Sequence, residues 1–346
     1  MNRYKKLLIM AILISVASIA LVTGLTFNSN TAEALSKIKP EYILAAVFTH
    51  LLFYIIWSFR TQALCKALGY RISSTKIMEI IISSTFVAGI TPSSAGGELL
   101  RMHLLNKSGI PLGRATAVIL SERLLDAIFI SSCLPFALFI LKGTLSNYRL
   151  NFVLMMASFL VLLGLFSFVY AIWKPSRMRR LIYWTTSKIA LFFGKKKNNA
   201  LSGIAEKIDR EIDLFHDSIR VFFLEGKKSL LWGIVYTLLH WFVDFSILVL
   251  ILMGLSQTPS ILTAFAAQVL LAVIKIIPAT PGGSGVAELG ATSIFSIFVG
   301  SSVLGITVLS WRSLTYYTNI ILGGFMCLKV FKDMDLIQKF TENSTE

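Results

Sequence analysis

Apolar runs long enough to cross the hydrocarbon core of a bilayer recur along this chain, and they leave it little choice of fold. Leu7–Phe27, Tyr42–Phe59, Gly113–Leu141, Leu150–Trp173, Leu230–Met253 and Val303–Phe331 are such runs. A helix needs roughly 20 apolar residues to cross about 30 Å of hydrocarbon. Inside that layer each backbone N–H and C=O must be bonded within the protein, so the runs are expected to be helices. The balance of 55% hydrophobic and 15% charged residues agrees, since soluble domains carry about a quarter charged residues. The expected class is an all-α polytopic protein of the cell membrane, with six spanning helices in a single membrane domain over 1–346.

A net charge of +15 is compatible with nucleic-acid binding, but its placement argues for membrane orientation instead. Lys and Arg gather in Asn2–Lys6, Arg60–Lys76, Arg101–Arg114, the central stretch 174–228 and the tail from Lys329. Alternation puts all of these on one side. The opposite side holds only Lys37, Lys39, Lys142 and Arg149, while Lys275, Arg123 and Arg312 fall at membrane depth. By the positive-inside rule both termini are expected in the cytoplasm. Leu7–Phe27 is expected as a retained helix; its rival, a signal peptide with Ala32-x-Ala34 as cleavage site, would need an unusually long apolar region. Within 174–228, Ile204, Ile208, Ile212, Phe215, Ile219 and Phe222 recur at helical spacing. They predict an amphipathic helix, lying on the cytoplasmic face or packed under the bundle. Lys195-Lys196-Lys197 suits a loop facing anionic lipid.

Two stretches interrupt this pattern. Thr91-Pro92-Ser93-Ser94-Ala95-Gly96-Gly97-Glu98-Leu99-Leu100-Arg101 follows the run Ile80–Ile90, and Pro278-Ala279-Thr280-Pro281-Gly282-Gly283-Ser284-Gly285-Val286-Ala287-Glu288 follows Ile261–Ile277. Helix breakers and charge at membrane depth are tolerated only where protein or a water-filled cavity surrounds them. The apolar run before Thr91 is short for a full crossing, so each stretch predicts a broken re-entrant hairpin. Aligning Thr91-Pro92 with Thr280-Pro281 also aligns Arg123 with Arg312 and Leu120-Ser121 with Leu309-Ser310, and brings His50 within one residue of His240. The repeats would cover about 42–141 and 230–331. With one further span, 150–173, between them, the second would be inverted. Inverted repeats with broken helices are a recurrent transporter architecture, with the substrate site at the repeat interface. The two breaks are expected to meet there.

Charge inside a membrane is expensive, about 2.5–3.5 kcal/mol per group on insertion scales. The candidate translocation residues are therefore Pro92, Gly96, Gly97, Glu98, Arg101, Glu122, Arg123, Asp126, His240, Asp244, Lys275, Pro281, Gly282, Gly283, Gly285, Glu288 and Arg312. Structural pairing is the plain alternative: Arg123 with Asp126 three residues on, and Asp244 with His240. Glu98 and Glu288 sit beside glycines that let a backbone approach a ligand. Arg101 suits a phosphate as a planar fork, or stands as a cytoplasmic cation. Helix starts after Gly97 and Gly285 would offer unpaired N–H groups to an anion. Trp57, Trp173, Trp232 and Tyr316 are expected at the interface or in packing. Cys65, Cys133 and Cys327 have no metal or disulfide spacing, and no metal or cofactor is expected. Gly226-Lys227-Lys228-Ser229 lacks the upstream glycine of an ATP-binding loop.

Thr91-Pro92-x-x-x-Gly96-Gly97-Glu98-x-x-Arg101, Glu122-Arg123-Leu124-Leu125-Asp126 and Pro281-Gly282-Gly283-x-Gly285-x-x-Glu288 together resemble the lysylphosphatidylglycerol synthase transmembrane, flippase-like family. The resemblance runs from about Leu7 to Phe331. It implies a lipid-flippase-like membrane domain, fused in some members to a lipid aminoacyltransferase. The chain ends about 15 residues after Phe331, so that enzyme domain, and its activity, are not expected here. Ser93 and Ser94 stand where many relatives have Gly-Arg, which removes one headgroup-binding cation. The function expected is movement of a phospholipid or lipid-linked anionic headgroup between leaflets, without catalysis. The partners would be membrane lipid as substrate and anionic lipid at the cytoplasmic face, with no nucleic acid and a possible homo-oligomer. The alternatives are a secondary transporter of a small solute and a membrane enzyme on lipid-linked substrates.

Overall fold

The computed structural model describes residues 36–91, 94–141, 210–222, 227–275, 280 and 282–343, with isolated helical positions at 24, 159, 163 and 166. Nearly all of Leu7–Phe27 and of Leu150–Trp173, the Lys195-Lys196-Lys197 run, Pro92 and Pro281 lie outside the described residues. Those described are all-helical, without a strand. In order they form α1 (Pro40–Ala67), α2 (Ser74–Ile90), α3 (Ala95–Lys107), α4 (Leu112–Ile140), α5 (Lys227–Gly254), α6 (Ile261–Ile274), α7 (Val286–Phe295), α8 (Ser301–Arg312), a π-helical turn (Ser313–Tyr317) and α9 (Thr318–Asn343). Among the described residues, three helices, α1, α4 and the Leu230–Gly254 part of α5, are long and apolar enough to cross a membrane.

The exposure pattern is that of a protein dissolved in lipid. Phe48, Phe136, Phe139, Phe325 and Leu328 are about 70% exposed, whereas Arg60, Glu122 and Glu288 are fully buried. A water-soluble protein of this size would bury the first group and expose the second.

Local sequence explains the short arms. Ser73 caps α2 by accepting a hydrogen bond from the Lys76 N–H, and Ser260 caps α6 through the Thr263 N–H. The 17 residues of α2 reach about 25 Å at 1.5 Å per residue, short of a full crossing. α2 ends where Thr91 turns extended, and α3 starts after Ser94 takes the left-handed conformation at φ 58°. Gly97 then lets α3 fold back on α2, because a Cβ there would lie 2.8 Å from the Ser84 carbonyl oxygen. On the second hairpin, Gly282, Gly283 and Gly285 all have positive φ. A Cβ on Gly282 would run into the Gly89 carbonyl and the Tyr316 ring.

Packing exchanges elements between the two parts of the chain. α1 lies along α5, the first hairpin arm α2 lies against α9, and the second hairpin arm α6 lies against α4. The helical segment 210–222 packs against the ends of α1, α3 and α4. Its Phe215, Ile219 and Phe222 join Leu64, Leu105, Ile110 and Ile119 in one cluster. Glu211 accepts the Gly113 N–H at 2.5 Å, capping the start of α4. Of the two places open to the amphipathic helix, this part of it takes the one against the bundle; Ile204 and Ile208 lie outside the described residues.

Candidate functional site

The two hairpin breaks touch. The Gly282 N–H donates to the Thr91 carbonyl at 3.2 Å, and the Tyr316 hydroxyl donates to the Gly89 carbonyl at 3.1 Å. Beside this contact is a cavity of about 290 Å³, walled by α1, α2, α3, α4, α5, α8, the π turn and α9. A π turn inserts an extra residue into a helix and recurs at functional sites. Here it follows Arg312 and carries Thr315 and Tyr316, both on the cavity wall.

One side of the site is a closed network of charge. Arg60 holds Asp126 at 2.7 Å and Glu122 at 3.5 Å. Arg101 donates to Glu122 at 2.6 Å and to Glu98 at 3.5 Å. Arg123 bridges Glu98 at 3.1 Å and Asp126 at 3.3 Å. Thr61 and the Trp57 indole also donate to Glu122, at 2.5 and 3.1 Å, and the Trp241 indole donates to Asp126 at 3.0 Å. Three cations meet three carboxylates, which is how buried charge is kept affordable in an apolar surround. Across the cavity Arg312 donates to Glu288 at 2.8 Å and lies over the Tyr316 ring.

The aromatic wall is continuous. Phe53 lies between His50 and His240, with ring centroids 5.7 and 4.3 Å away. His50 and the Tyr54 hydroxyl both reach the Asn319 side-chain oxygen. The Nδ1 atoms of His50 and His240 are buried without a partner.

Of the residues expected at the site, Gly97, Glu98, Arg101, Arg123, Asp126, His240, Asp244, Lys275, Gly282 and Arg312 line the cavity. Glu122 and Glu288 stand one shell behind and orient the arginines. Gly96, Gly283 and Gly285 shape the hairpins without lining it. Four local expectations are corrected. Arg101 is neither a free loop cation nor open to a phosphate at both ends of its fork: it is 1% exposed and holds Glu122. Asp244 does not pair with His240; Asp126 does pair with Arg123. The helix starts are already occupied, since the Glu288 carboxylate accepts the Gly285 N–H at 2.7 Å and Thr91 accepts the Gly96 N–H at 3.1 Å. Trp57 and Tyr316 belong to the cavity, not the interface; Trp232, 47% exposed, suits an interfacial place, and Trp173 lies outside the described residues.

Sequence reasoning missed Arg60 as a site residue, because a cation at the end of an apolar run looks like a loop anchor. Its signal was the spacing Trp57-x-x-Arg60, which puts both on one helix face. Thr61, Trp241, Trp311 and Asn319 were also missed; Asn319, an amide inside the apolar run Thr315–Met326, was the most visible of them.

A lipid-facing helical shell around a charge-paired polar cavity defines a multi-pass membrane protein with a buried polar site. The sequence model of the lysylphosphatidylglycerol synthase TM region matches residues 8–323, and the chain belongs to that family. A UPF0104 membrane protein of Archaeoglobus fulgidus is 31% identical over 318 residues, covering 90% of this chain and 94% of that protein. Another from Methanocaldococcus jannaschii is 28% identical over 309 residues, covering 88% and 89%. A third, from Pyrococcus horikoshii, is 22% identical over 323 residues, covering 92% and 96%.

Proposed function

We propose that the protein is a lipid translocase, moving a phosphate-bearing headgroup between leaflets through the cavity where the two hairpins meet. The observation that carries this reading is a polar cavity, charge-lined and flanked by both chain breaks, inside a shell of lipid-facing helices. Unaided, an ion moved into hydrocarbon meets an idealised cost of order 20 kcal/mol, so a polar route is what such a protein must supply. At about 290 Å³ the cavity is near the small end of ligand pockets, with room for a headgroup but not for two acyl chains. The chains would stay in lipid outside.

The architecture proposed with it has six spans, cytoplasmic termini and inverted repeats over about 42–141 and 230–331. Several observations support the repeat. Ser94 and Gly283, equivalent in the alignment, both have left-handed φ, 58° and 67°. Glu98 pairs with Arg123 as Glu288 pairs with Arg312. Each first hairpin arm packs on the long final helix of the other unit. This crossed arrangement is what a pseudo-twofold axis through the hairpin contact would produce.

The test is reconstitution of the purified protein in liposomes, with tail-labelled phospholipid and a membrane-impermeant quencher. Translocation should exceed that of empty vesicles and fall at least about tenfold, or 1.4 kcal/mol, in Glu98→Gln and Arg123→Gln. Vesicles with wild-type protein that move lipid no faster than empty ones would end the proposal. Uptake of a soluble solute by those same vesicles would then favour secondary transport.

A further inference from the structure

Most of the charge at the site is already paired. Arg60, Arg101, Arg123 and Arg312 are each within 3.5 Å of one or more of Glu98, Glu122, Asp126 and Glu288, four cations against four carboxylates. Two charged groups on the cavity wall stand apart from this network. Among the described residues, neither Asp244 on α5 nor Lys275 at the end of α6 has an ion-pair or hydrogen-bond partner. Lys275 has the Trp311 ring 5.5 Å from its Nζ, and it and Asp244 act on each other as opposite charges without a direct contact.

We propose that the ligand of this cavity is a zwitterion of zero net charge, an ammonium joined by a few bonds to a phosphate, with Asp244 holding the cation and Lys275 the anion. An anionic ligand would leave Asp244 facing like charge, and a cationic ligand would do the same to Lys275. In a cavity of reduced dielectric such a mismatch discriminates strongly. The surroundings fit each half. His240 and Trp241 share the cavity face of α5 with Asp244, and Phe53 beside His240 extends an aromatic wall suited to an ammonium, while the Trp57 ring already carries Arg101 and Arg123. The His240 Nδ1 is buried, unpartnered and part of that wall, leaving a polar atom for the ligand to satisfy. The inference deepens the translocase reading by naming the headgroup class, phosphoethanolamine in a lipid, but the same chemistry occurs in a soluble zwitterion.

The experiment has two arms, both on the full-length protein. In detergent, fluorescence of the cavity tryptophans is titrated with glycerophosphoethanolamine, glycerophosphoglycerol and ethanolamine. The zwitterion should bind saturably and the two singly charged probes at least about tenfold more weakly. Asp244→Asn and Lys275→Gln should each weaken the zwitterion by at least about tenfold, and the exchanged pair Asp244→Lys/Lys275→Asp should recover part of the loss. Equal binding of zwitterion and anion by wild-type protein would overturn the proposal whether or not the variants fold. In vesicles, tail-labelled phosphatidylethanolamine should cross faster than phosphatidylglycerol. Zwitterion binding without lipid movement would keep the inference and move the source to a soluble ligand. Lipid movement with no headgroup preference would overturn the inference while leaving the translocase reading intact.

Discussion

At the scale of single residues, the burial of Arg60 decides the most. It carries two carboxylates, Asp126 and Glu122, and is itself fully buried. Removing one partner of a buried pair leaves a charge without compensation and costs about 3–5 kcal/mol. Arg60→Met should therefore lower the melting temperature of the purified protein in detergent by many degrees. Arg60→Met/Asp126→Leu should melt above Arg60→Met alone, because it removes the orphaned charge as well. An Arg60→Met protein as heat-stable as the wild type would refute the pairing. The sequence showed Glu122, Arg123 and Asp126 plainly, since three charges within an apolar helix have few explanations. It did not show Arg60 or the occupancy of Arg101. Which carboxylate answers which guanidinium depends on three helices meeting, and no spacing along one of them encodes that.

Among the elements, close backbone contacts set the geometry of the hairpins. Gly323 on α9 faces α2 so closely that a Cβ would sit 2.7 Å from the Ile82 carbonyl oxygen and 2.8 Å from the Phe86 nitrogen. Small residues serve this role between membrane helices because they let backbones approach. Gly323→Ala should cost about 1–3 kcal/mol by overpacking, read as a lower melting temperature. A neutral result would mean that α2 and α9 are further apart. The segment 210–222 has a different dependence. Phe215 is 5% exposed within the cluster it shares with α1, α3 and α4, so Phe215→Ala should cost about 3–5 kcal/mol. Protease cleavage within 210–222 should become faster in that variant; unchanged cleavage would mean that the segment is not held by this contact. Helical spacing predicted that segment from Ile212, Phe215, Ile219 and Phe222. It left open what the apolar stripe packs on, because lipid and protein make the same demand on a helix face.

On the scale of the whole molecule, the two halves of the chain pack on one another. α2 leans on α9 and α6 on α4, so each hairpin is held by a helix from the other half of the chain. Divided within 174–209, the two halves should co-purify when produced together, and neither alone should give a monodisperse species by size-exclusion chromatography. A well-behaved amino-terminal half on its own would contradict the crossed packing. The proposed repeat rests in sequence on Thr91-Pro92 and Thr280-Pro281 sharing an offset with Arg123 and Arg312. The crossing was not, since an offset relates positions within units and says nothing of which unit supports which.

The sequence by itself determined the class of protein and the stretches where its helices break. Both follow from one-dimensional quantities: the length of an apolar run against the thickness of a bilayer, and the inability of proline and paired glycines to continue a helix. Only the tertiary structure decided what the charges do. It spent eight of them on one another and closed the helix starts that looked ready for an anion. It left Asp244 and Lys275 facing an aromatic cavity. Pairing among buried charges is settled by distances of a few ångströms between residues far apart in the chain, and those distances come into being only when the helices pack.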